Sequence, residues 1–257
     1  MRLRMRHLRN TRLLYFFIAF SSLWRNDLRA QLNSDPLILF NYDPYSPDQV
    51  YEFPFAFMPG EAPFGQSYKE WCKAWVKENY SMPCEKHPLL ITDSGTSIKE
   101  PDGPVILLFG SIGGSVKRAI RIPKEKGIFF PIINYMATYP CPYSGFKPAP
   151  GQSLKDFLRL AAADIVNKGT NMTVTLDGMR LTDLQPFRVT TDLFYIQALP
   201  ELTCLDNCVT GELQPVLTDG YWVMLRPLSP GKHVLHYKGS YIHLGWVVDV
   251  TYEIEVE

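Results

Sequence analysis

The sequence has no excess of charge of either sign. Lys and Arg total 26, and Asp and Glu also total 26, among 257 residues. Proteins that bind nucleic acid present a basic surface, so this balance gives no reason to expect a nucleic-acid partner. The balance is uneven along the chain, because residues 1–21 contain five Arg and no acidic residue. Without them, 21 bases face 26 acids, a net charge of −5.

Long apolar runs are scarce. The basic start is followed by Leu13-Leu-Tyr-Phe-Phe-Ile-Ala-Phe20, which is shorter than the roughly 20 residues that span a bilayer. A basic stretch before a short apolar run is typical of a secretory signal. We therefore predict a signal peptide at residues 1–21 and export to the periplasm, cell surface or extracellular space. The alternative is an amphipathic surface helix or an over-extended start. No other run is long enough for a membrane span.

Cysteine is sparse, with five residues. In an exported protein this number fits one or two disulfides and an odd thiol. Cys204 and Cys208 are close enough to staple one loop, and Cys72 and Cys84 are predicted to tie a helix to the segment after it. That pairing leaves Cys141 over. Zinc at Cys204 and Cys208 is the alternative, and it is disfavoured because no further Cys or His lies nearby in sequence.

Specific catalytic motifs are missing, including the Gly-x-Ser-x-Gly elbow. Glu70, His87, Asp93 and His236 are weak catalytic candidates. Glu70 and Asp93, with Asp164 and Asp219, could also belong to a carboxylate pair that hydrolyses glycosides. His233, His236 and His243 are weak metal-ligand candidates, since the first two start on opposite faces of a strand. We predict no metal and no cofactor, and whether the protein is an enzyme stays open, with a non-enzyme slightly favoured.

Alternating hydrophobicity is the strongest pattern present. From Trp246 to Val256 every second residue is apolar, which predicts a strand of a half-buried antiparallel sheet. Two segments have helical periodicity, at 67–80 and 153–168, and each begins with a capping Ser. Because strands lie on both sides of the second helix without regular alternation, a doubly wound parallel sheet is excluded. We predict a mainly β protein, an antiparallel β-sandwich or jelly-roll-like domain with two flanking helices.

Turn residues divide the rest of the chain. The Pro- and aromatic-rich residues 22–65 predict an extended arm, and residues 66–257 a single domain. The Gly-rich segment 110–115 is interpreted as a hairpin turn rather than a phosphate loop, because an alternating strand pattern follows it. Asp177-Gly178 is a hairpin signal, and Gly169 stands where a left-handed helix C-cap would fall.

The aromatic side chains offer a binding hypothesis. Trp71, Trp75, Trp222 and Trp246 are weak candidates for stacking on sugar, although a Trp stripe on a helix more often faces the core. The leading prediction is an exported binding or structural module whose ligand is carbohydrate-like or an envelope protein. The runner-up is an extracellular hydrolase or metal-dependent enzyme acting on a polymer, with its site near residues 71–93 and 233–243. An assembly subunit that uses an exposed strand edge is a third possibility.

Four sequence blocks occur in order along the chain. They are Ser67-Tyr-Lys-Glu-Trp-Cys-Lys-Ala-Trp75 leading to His87-Pro-Leu-Leu90, Gly103-Pro-Val-Ile-Leu-Leu-Phe-Gly110, Arg121-Ile-Pro-Lys-Glu-Lys-Gly-Ile-Phe-Phe-Pro131 with Asn134, and Asp219-Gly-Tyr-Trp-Val-Met-Leu-Arg-Pro-Leu-Ser-Pro-Gly-Lys-His233. Together they resemble a family of exported bacterial proteins of unassigned function, over roughly residues 62–257. The resemblance implies export and a β-rich fold, and it brings no catalytic residues. The family often carries a Cys in the strand before the third block, where this chain has Ala119 and Ile120, so a disulfide there is absent.

Overall fold

The computed structural model describes residues 55–91, 103–142 and 145–257. The described residues 55–91, 103–141 and 148–257 belong to one compact unit, which contains all the elements below. The predicted signal peptide and residues 22–54 of the predicted arm lie outside the described residues.

Both predicted helices are confirmed to within two residues at each end. Helix α1 spans Tyr68–Asn79 and helix α2 spans Leu154–Val166. Ser67 and Ser153 are the N-cap residues, and each hydroxyl accepts a hydrogen bond from the backbone N–H three residues later. These bonds satisfy donors that the first turn of a helix would otherwise leave free.

Eleven strands lie in the described residues, and their bounds follow. They are β1 (Ala56–Phe57), β2 (Val105–Leu107), β3 (Gly114–Ile122), β4 (Gly127–Thr138), β5 (Thr170–Leu176), β6 (Met179–Arg180), β7 (Arg188–Thr190), β8 (Phe194–Gln197), β9 (Leu213–Leu225), β10 (Gly231–Tyr241) and β11 (Trp246–Val256).

The strands form two sheets. The six-stranded sheet has the order β1-β9-β4-β2, and β7 and β8 also pair with β9. The five-stranded sheet has the order β3-β11-β10-β5-β6. Phe130 of the first sheet stacks on Tyr237 of the second with ring centroids 4.6 Å apart, and both side chains are buried. The predicted mainly β sandwich with two helices is therefore confirmed, while the jelly-roll topology stays a prediction.

The alternation of β11 sets which face is buried. Val248, Val250, Tyr252, Ile254 and Val256 are buried, whereas the residues between them are exposed or half-buried. Glu253 and Glu255 pair with bases of the neighbouring β3 on the outer face. The period-two pattern thus orients the strand as predicted.

The prediction of a hairpin at residues 110–115 is wrong. The strand before it, β2, belongs to the six-stranded sheet, and the strand after it, β3, belongs to the five-stranded sheet. The Gly-rich segment therefore carries the chain from one sheet to the other. β4 then returns to the first sheet and pairs with β2 in parallel. Parallel neighbours need a crossover connection, which the passage through the second sheet provides. A second parallel pair joins β3 to β11.

Gly169 has a different role from the predicted left-handed cap. Its φ is not among the positive values of the described residues, and Asn167 is the C-cap of α2. A Cβ on Gly169 would lie 2.2 Å from Ile133 Cδ1. The glycine is therefore needed for close approach of the chain to β4, not for its backbone freedom. Asp177 and Gly178, by contrast, have φ of 51° and 80° and form the predicted turn between β5 and β6.

Helix α1 covers the six-stranded sheet. Its buried stripe packs on strand residues in one cluster, at the centre of which the Trp75 ring lies 5.5 Å from that of Trp222 and 4.9 Å from that of Phe109. Helix α2 contacts β4 and β9. No helix in the described parts of the chain is long and apolar enough to cross a membrane.

Candidate functional site

The Trp residues do not form a sugar-stacking platform. Trp71, Trp75 and Trp222 are buried, with at most 6% of each side chain exposed. Trp71 Nε1 donates to the Pro63 carbonyl and Trp75 Nε1 to the Leu108 carbonyl. Trp246 is half-buried. The stacking prediction is therefore wrong for the three buried rings, whose faces are used by the core.

The catalytic candidates do not meet in the described residues. Glu70 is exposed on α1 and pairs with Lys73. His87 is fully buried after α1, and His236 lies on β10 with Asp249 as its partner. Asp93 lies outside the described residues. The convergence that an enzyme site at residues 71–93 and 233–243 would need is thus not found among these side chains.

The histidines proposed as metal ligands are also separate. His233 bonds Asp177, His236 bonds Asp249, and His243 is exposed in the turn before β11. Asp249 also accepts hydrogen bonds from Ser115 and Lys238, so the carboxylate lies between Ser115 and His236. A Ser nucleophile needs His as its direct hydrogen-bond partner, and these three residues do not have that arrangement. Among the residues with described positions, no group of three or more His, Cys, Asp or Glu could hold a metal ion.

His87 is a structural histidine with a defined protonation state. Nε2 lies 2.8 Å from the Asn79 carbonyl oxygen, and Nδ1 accepts from the Leu89 N–H at 3.2 Å. Since the carbonyl can only accept, the ring is neutral with its proton on Nε2. Burial lowers the pKa of His87, and the bond to Asn79 opposes this only in part. The ring fastens the end of α1 to the following segment.

This geometry predicts a pH-dependent cost for His87→Gln. The unfolded ring protonates below about pH 6.5 whereas the folded ring stays neutral, so wild-type stability falls as pH drops from 6.5 towards the lowered pKa. The stability difference between wild type and the variant should therefore be largest above pH 7. It should shrink by about 1.4 kcal/mol for each unit by which the pKa is lowered. Urea unfolding at pH 7.5, 6.5 and 5.5 measures it. Lys117→Gln, which removes an exposed base of β3 and leaves every His in place, is the control. A stability difference between wild type and His87→Gln that does not depend on pH would contradict the assignment.

Both predicted disulfide pairings are wrong. Cys84 pairs with Cys204, and Cys141 pairs with Cys208. Cys72 is a free, buried thiol, and burial raises its pKa well above the usual value. Proximity in sequence suggested the predicted pairs, but the short segment between Cys204 and Cys208 is instead fastened to two distant parts of the chain. Two disulfides indicate an oxidising environment of the kind that exported proteins meet.

An open groove on the described surface is a feature that sequence reasoning missed. It has a volume of about 330 Å³. It lies where the edge of β9 changes partner, between β1, which pairs with Met224 and Leu225, and β7, which pairs with residues 219–221. The first residues of α1 form its other wall. The lining residues are Pro59, Ser67, Tyr68, Lys69, Arg188, Val189 and Thr190.

Arg188 is the most firmly held charged side chain of this groove. Nε and Nη2 donate to the two carboxylate oxygens of Asp219 at 3.2 and 2.6 Å. Nη1 donates to Asn167 Oδ1 at 2.7 Å, and Thr190 Oγ1 donates to Asp219 Oδ1 at 3.0 Å. This bidentate fork fixes the orientation of the guanidinium. Burial lowers the pKa of Arg188, but the bonds and charge of Asp219 outweigh it and the pKa is raised.

The two partners differ in exposure. The Asp219 side chain is 1% exposed and that of Arg188 is 30% exposed. Asp219 therefore belongs to the interior, while Arg188 reaches the surface at the groove. Three of the five N–H groups of a guanidinium are used by Asp219 and Asn167, and Tyr221 is a further hydrogen-bond partner of Arg188. Arg188 therefore offers the groove a positive charge of fixed orientation.

The groove has a small positive balance. Lys69 and Lys155 both pair with the exposed Asp192 at 3.3 Å, and these bonds, that from Lys155 foremost, lower the pKa of Asp192. Counting these residues with Arg188 and Asp219, three bases face two acids, so one positive charge is in excess. The amino end of α1 adds the partial positive charge of a helix N-terminus.

A sequence signal for this site was weak. The sequence offers Asp219 as one of four acidic catalytic candidates, but Arg188 is 31 positions away, and the pairing of β7 with β9 brings the two side chains together. No protein-family model matches the chain, and no curated protein or solved structure matches it either.

Proposed function

We propose that this chain is an exported β-sandwich binding module that holds an acidic group of an extracellular saccharide in the groove beside α1. The observation that carries the proposal is Arg188, which is oriented by the buried Asp219 yet exposed at the groove wall. The two disulfides support export, as does the predicted signal peptide. The resemblance of the sequence to exported bacterial proteins is part of what we propose, since it also implies export.

The chemistry of the lining favours charge recognition over stacking. A guanidinium that the fold holds in one orientation suits an anionic carboxylate, which its charge attracts. Lys69, which also pairs with Asp192, adds an exposed charge at the same groove. Thr190 donates its hydroxyl proton to Asp219, so its oxygen can serve a ligand only as an acceptor. The volume of about 330 Å³ lies at the small end of ligand pockets. An open groove of this size suits one uronic-acid residue of a longer chain.

The proposal is tested by calorimetric titration with trigalacturonate, an acidic trisaccharide, and with neutral maltotriose. We expect trigalacturonate to bind and maltotriose not to bind. Lys69→Gln should weaken binding about tenfold, since a hydrogen bond to a charged group contributes roughly 1.5 kcal/mol. Higher salt should weaken it too, because the lining is solvated.

Lys117→Gln is the matched control for this titration. Lys117 is a 60% exposed lysine of the five-stranded sheet that pairs with Glu253, so its loss should leave the affinity unchanged. Equal binding of both saccharides, or an equal effect of the two lysine variants, would contradict the groove as the site. Binding of neither saccharide would overturn the ligand class and leave a protein partner as the alternative.

A further inference from the structure

His233 stands between two groups that can only accept hydrogen bonds. Nδ1 lies 2.7 Å from Asp177 Oδ2, and Nε2 lies 2.8 Å from the Ser229 carbonyl oxygen. An ionised carboxylate and a carbonyl have no proton to donate, so both ring nitrogens must be protonated for both bonds to exist. The geometry therefore requires an imidazolium at this position.

Asp177 uses its other oxygen to hold the same strand. Oδ1 accepts from the Val234 N–H at 2.8 Å, and the Asp177 N–H donates to the Val234 carbonyl at 2.9 Å. Asp177 is the first residue of the turn between β5 and β6, where its φ is 51°. Its side chain therefore ties the tip of this hairpin to the start of β10, and the tie continues through His233 to the turn before β10.

We propose that protonated His233 is a clasp that locks the β5–β6 hairpin tip onto β10 and the preceding turn, and that loss of its proton releases one end of the clasp. A neutral ring keeps one N–H, so it can serve Asp177 or Ser229 but not both. The hairpin tip leads into the two-residue edge strand β6, whose first residue, Met179, is 51% exposed. The device thus makes order at this edge of the five-stranded sheet depend on pH.

The groups that face the His233 ring in the described structure can be named element by element. Asp177 is the charged side chain that faces it from the hairpin. The turn before β10 faces it with the Ser229 carbonyl, and β11 faces it with Ile254, its cross-strand partner. Lys232, Glu253 and Glu255 occupy alternate positions, whose side chains start on the other face of the sheet.

The direction of titration agrees with this geometry. Burial lowers the pKa of His233, but the bonds to Asp177 and Ser229 outweigh burial and the pKa is raised. The pKa of Asp177 is lowered, because the bonds from His233 and Val234 outweigh burial. For a raised His pKa, the stabilisation is full below about pH 6.5 and is lost as pH rises through the folded value. Because the folded pKa of Asp177 is lowered, the stabilisation from its carboxylate is lost as pH falls through that folded pKa. The clasp is therefore closed between the two folded pKa values.

The ring can be observed directly by long-range ¹⁵N–¹H NMR of the intact protein, with the His233 signals assigned by their loss in His233→Gln. We expect a doubly protonated ring at pH 6 and a titration midpoint above 6.5. Asp177→Asn should lower that midpoint. Asn is well suited to this variant because it is favoured at positive φ in such a turn and keeps an oxygen for the Val234 N–H. The midpoint of the exposed His243 should not move in Asp177→Asn.

Hydrogen exchange supplies a second readout. After correction for intrinsic exchange, protection of the Asp177 and Val234 amides should fall between pH 6 and pH 9 in the wild type. At a pH between the His233 midpoints of the variant and the wild type, these amides should be less protected in Asp177→Asn than in the wild type. The difference should reach up to about tenfold for each pH unit by which Asp177→Asn lowers the midpoint. The Tyr237 amide, further along β10, is the internal control. A singly protonated His233 at pH 6, or the same midpoint in Asp177→Asn, would overturn the clasp.

Discussion

Replacing Cys84 and Cys204 together by Ala is expected to lower the free energy of unfolding by about 4 kcal/mol. Replacing Cys141 and Cys208 together by Ala should lower the free energy of unfolding by slightly less. The reason lies mainly in the unfolded chain, whose freedom each cross-link restricts. Sequence separations of 120 and 67 residues correspond to roughly 5 and 4 kcal/mol in the chain-entropy description, and measured losses for native disulfides span about 2–5 kcal/mol.

Urea unfolding of the two double variants measures both effects. The dependence of stability on urea should also steepen, because an unfolded chain without the cross-link exposes more surface. Cys72→Ala is the control, since it removes a buried thiol that closes no loop and should cost about 1 kcal/mol. A double variant that loses no more than Cys72→Ala would contradict a stabilising role for that disulfide.

The second large effect is expected for Arg188→Ala, which should destabilise the fold by about 3–5 kcal/mol. The variant leaves the Asp219 carboxylate, 1% exposed, with the Thr190 hydroxyl as its remaining side-chain partner in the described structure. A buried charge without a counter-ion is costly because the interior solvates it poorly. Asp219→Ala should cost less, since the Arg188 side chain is 30% exposed and can turn to water.

The larger cost expected for Arg188→Ala than for Asp219→Ala distinguishes this prediction from a simple loss of contacts, which would cost the same from either side. The double variant Arg188→Ala with Asp219→Ala should be more stable than Arg188→Ala alone, because the stranded carboxylate is gone. Lys69→Ala removes an exposed partner of Asp192 and should change stability by less than about 1 kcal/mol. Chemical denaturation of the four variants tests the set. Equal losses for Arg188→Ala and Asp219→Ala would contradict the burial argument.

Local patterns in the sequence determined much of the fold. The alternation from Trp246 to Val256 identifies a strand and its buried face, because successive side chains of a strand point to opposite sides. Ser67 and Ser153 mark where the helices begin, because their hydroxyls satisfy the free N–H groups of the first turn. Asp177-Gly178 identifies a hairpin, because few residues tolerate its positive φ. Each of these signals lies within a few residues of the element that it specifies.

The tertiary structure decided what depends on distant parts of the chain. The Gly-rich segment 110–115 joins two sheets rather than two strands of a hairpin, since only sheet pairing determines where β2 and β3 belong. The same holds for the disulfides, whose partners are 67 and 120 residues apart, and for Arg188 with Asp219, which meet because β7 pairs with β9. The local sequence does not predict these contacts, because they depend on which distant strands pair and pack together in the folded chain. The groove is formed by such contacts between distant segments, and the same packing buries Trp71, Trp75 and Trp222, three of the four candidates for sugar stacking.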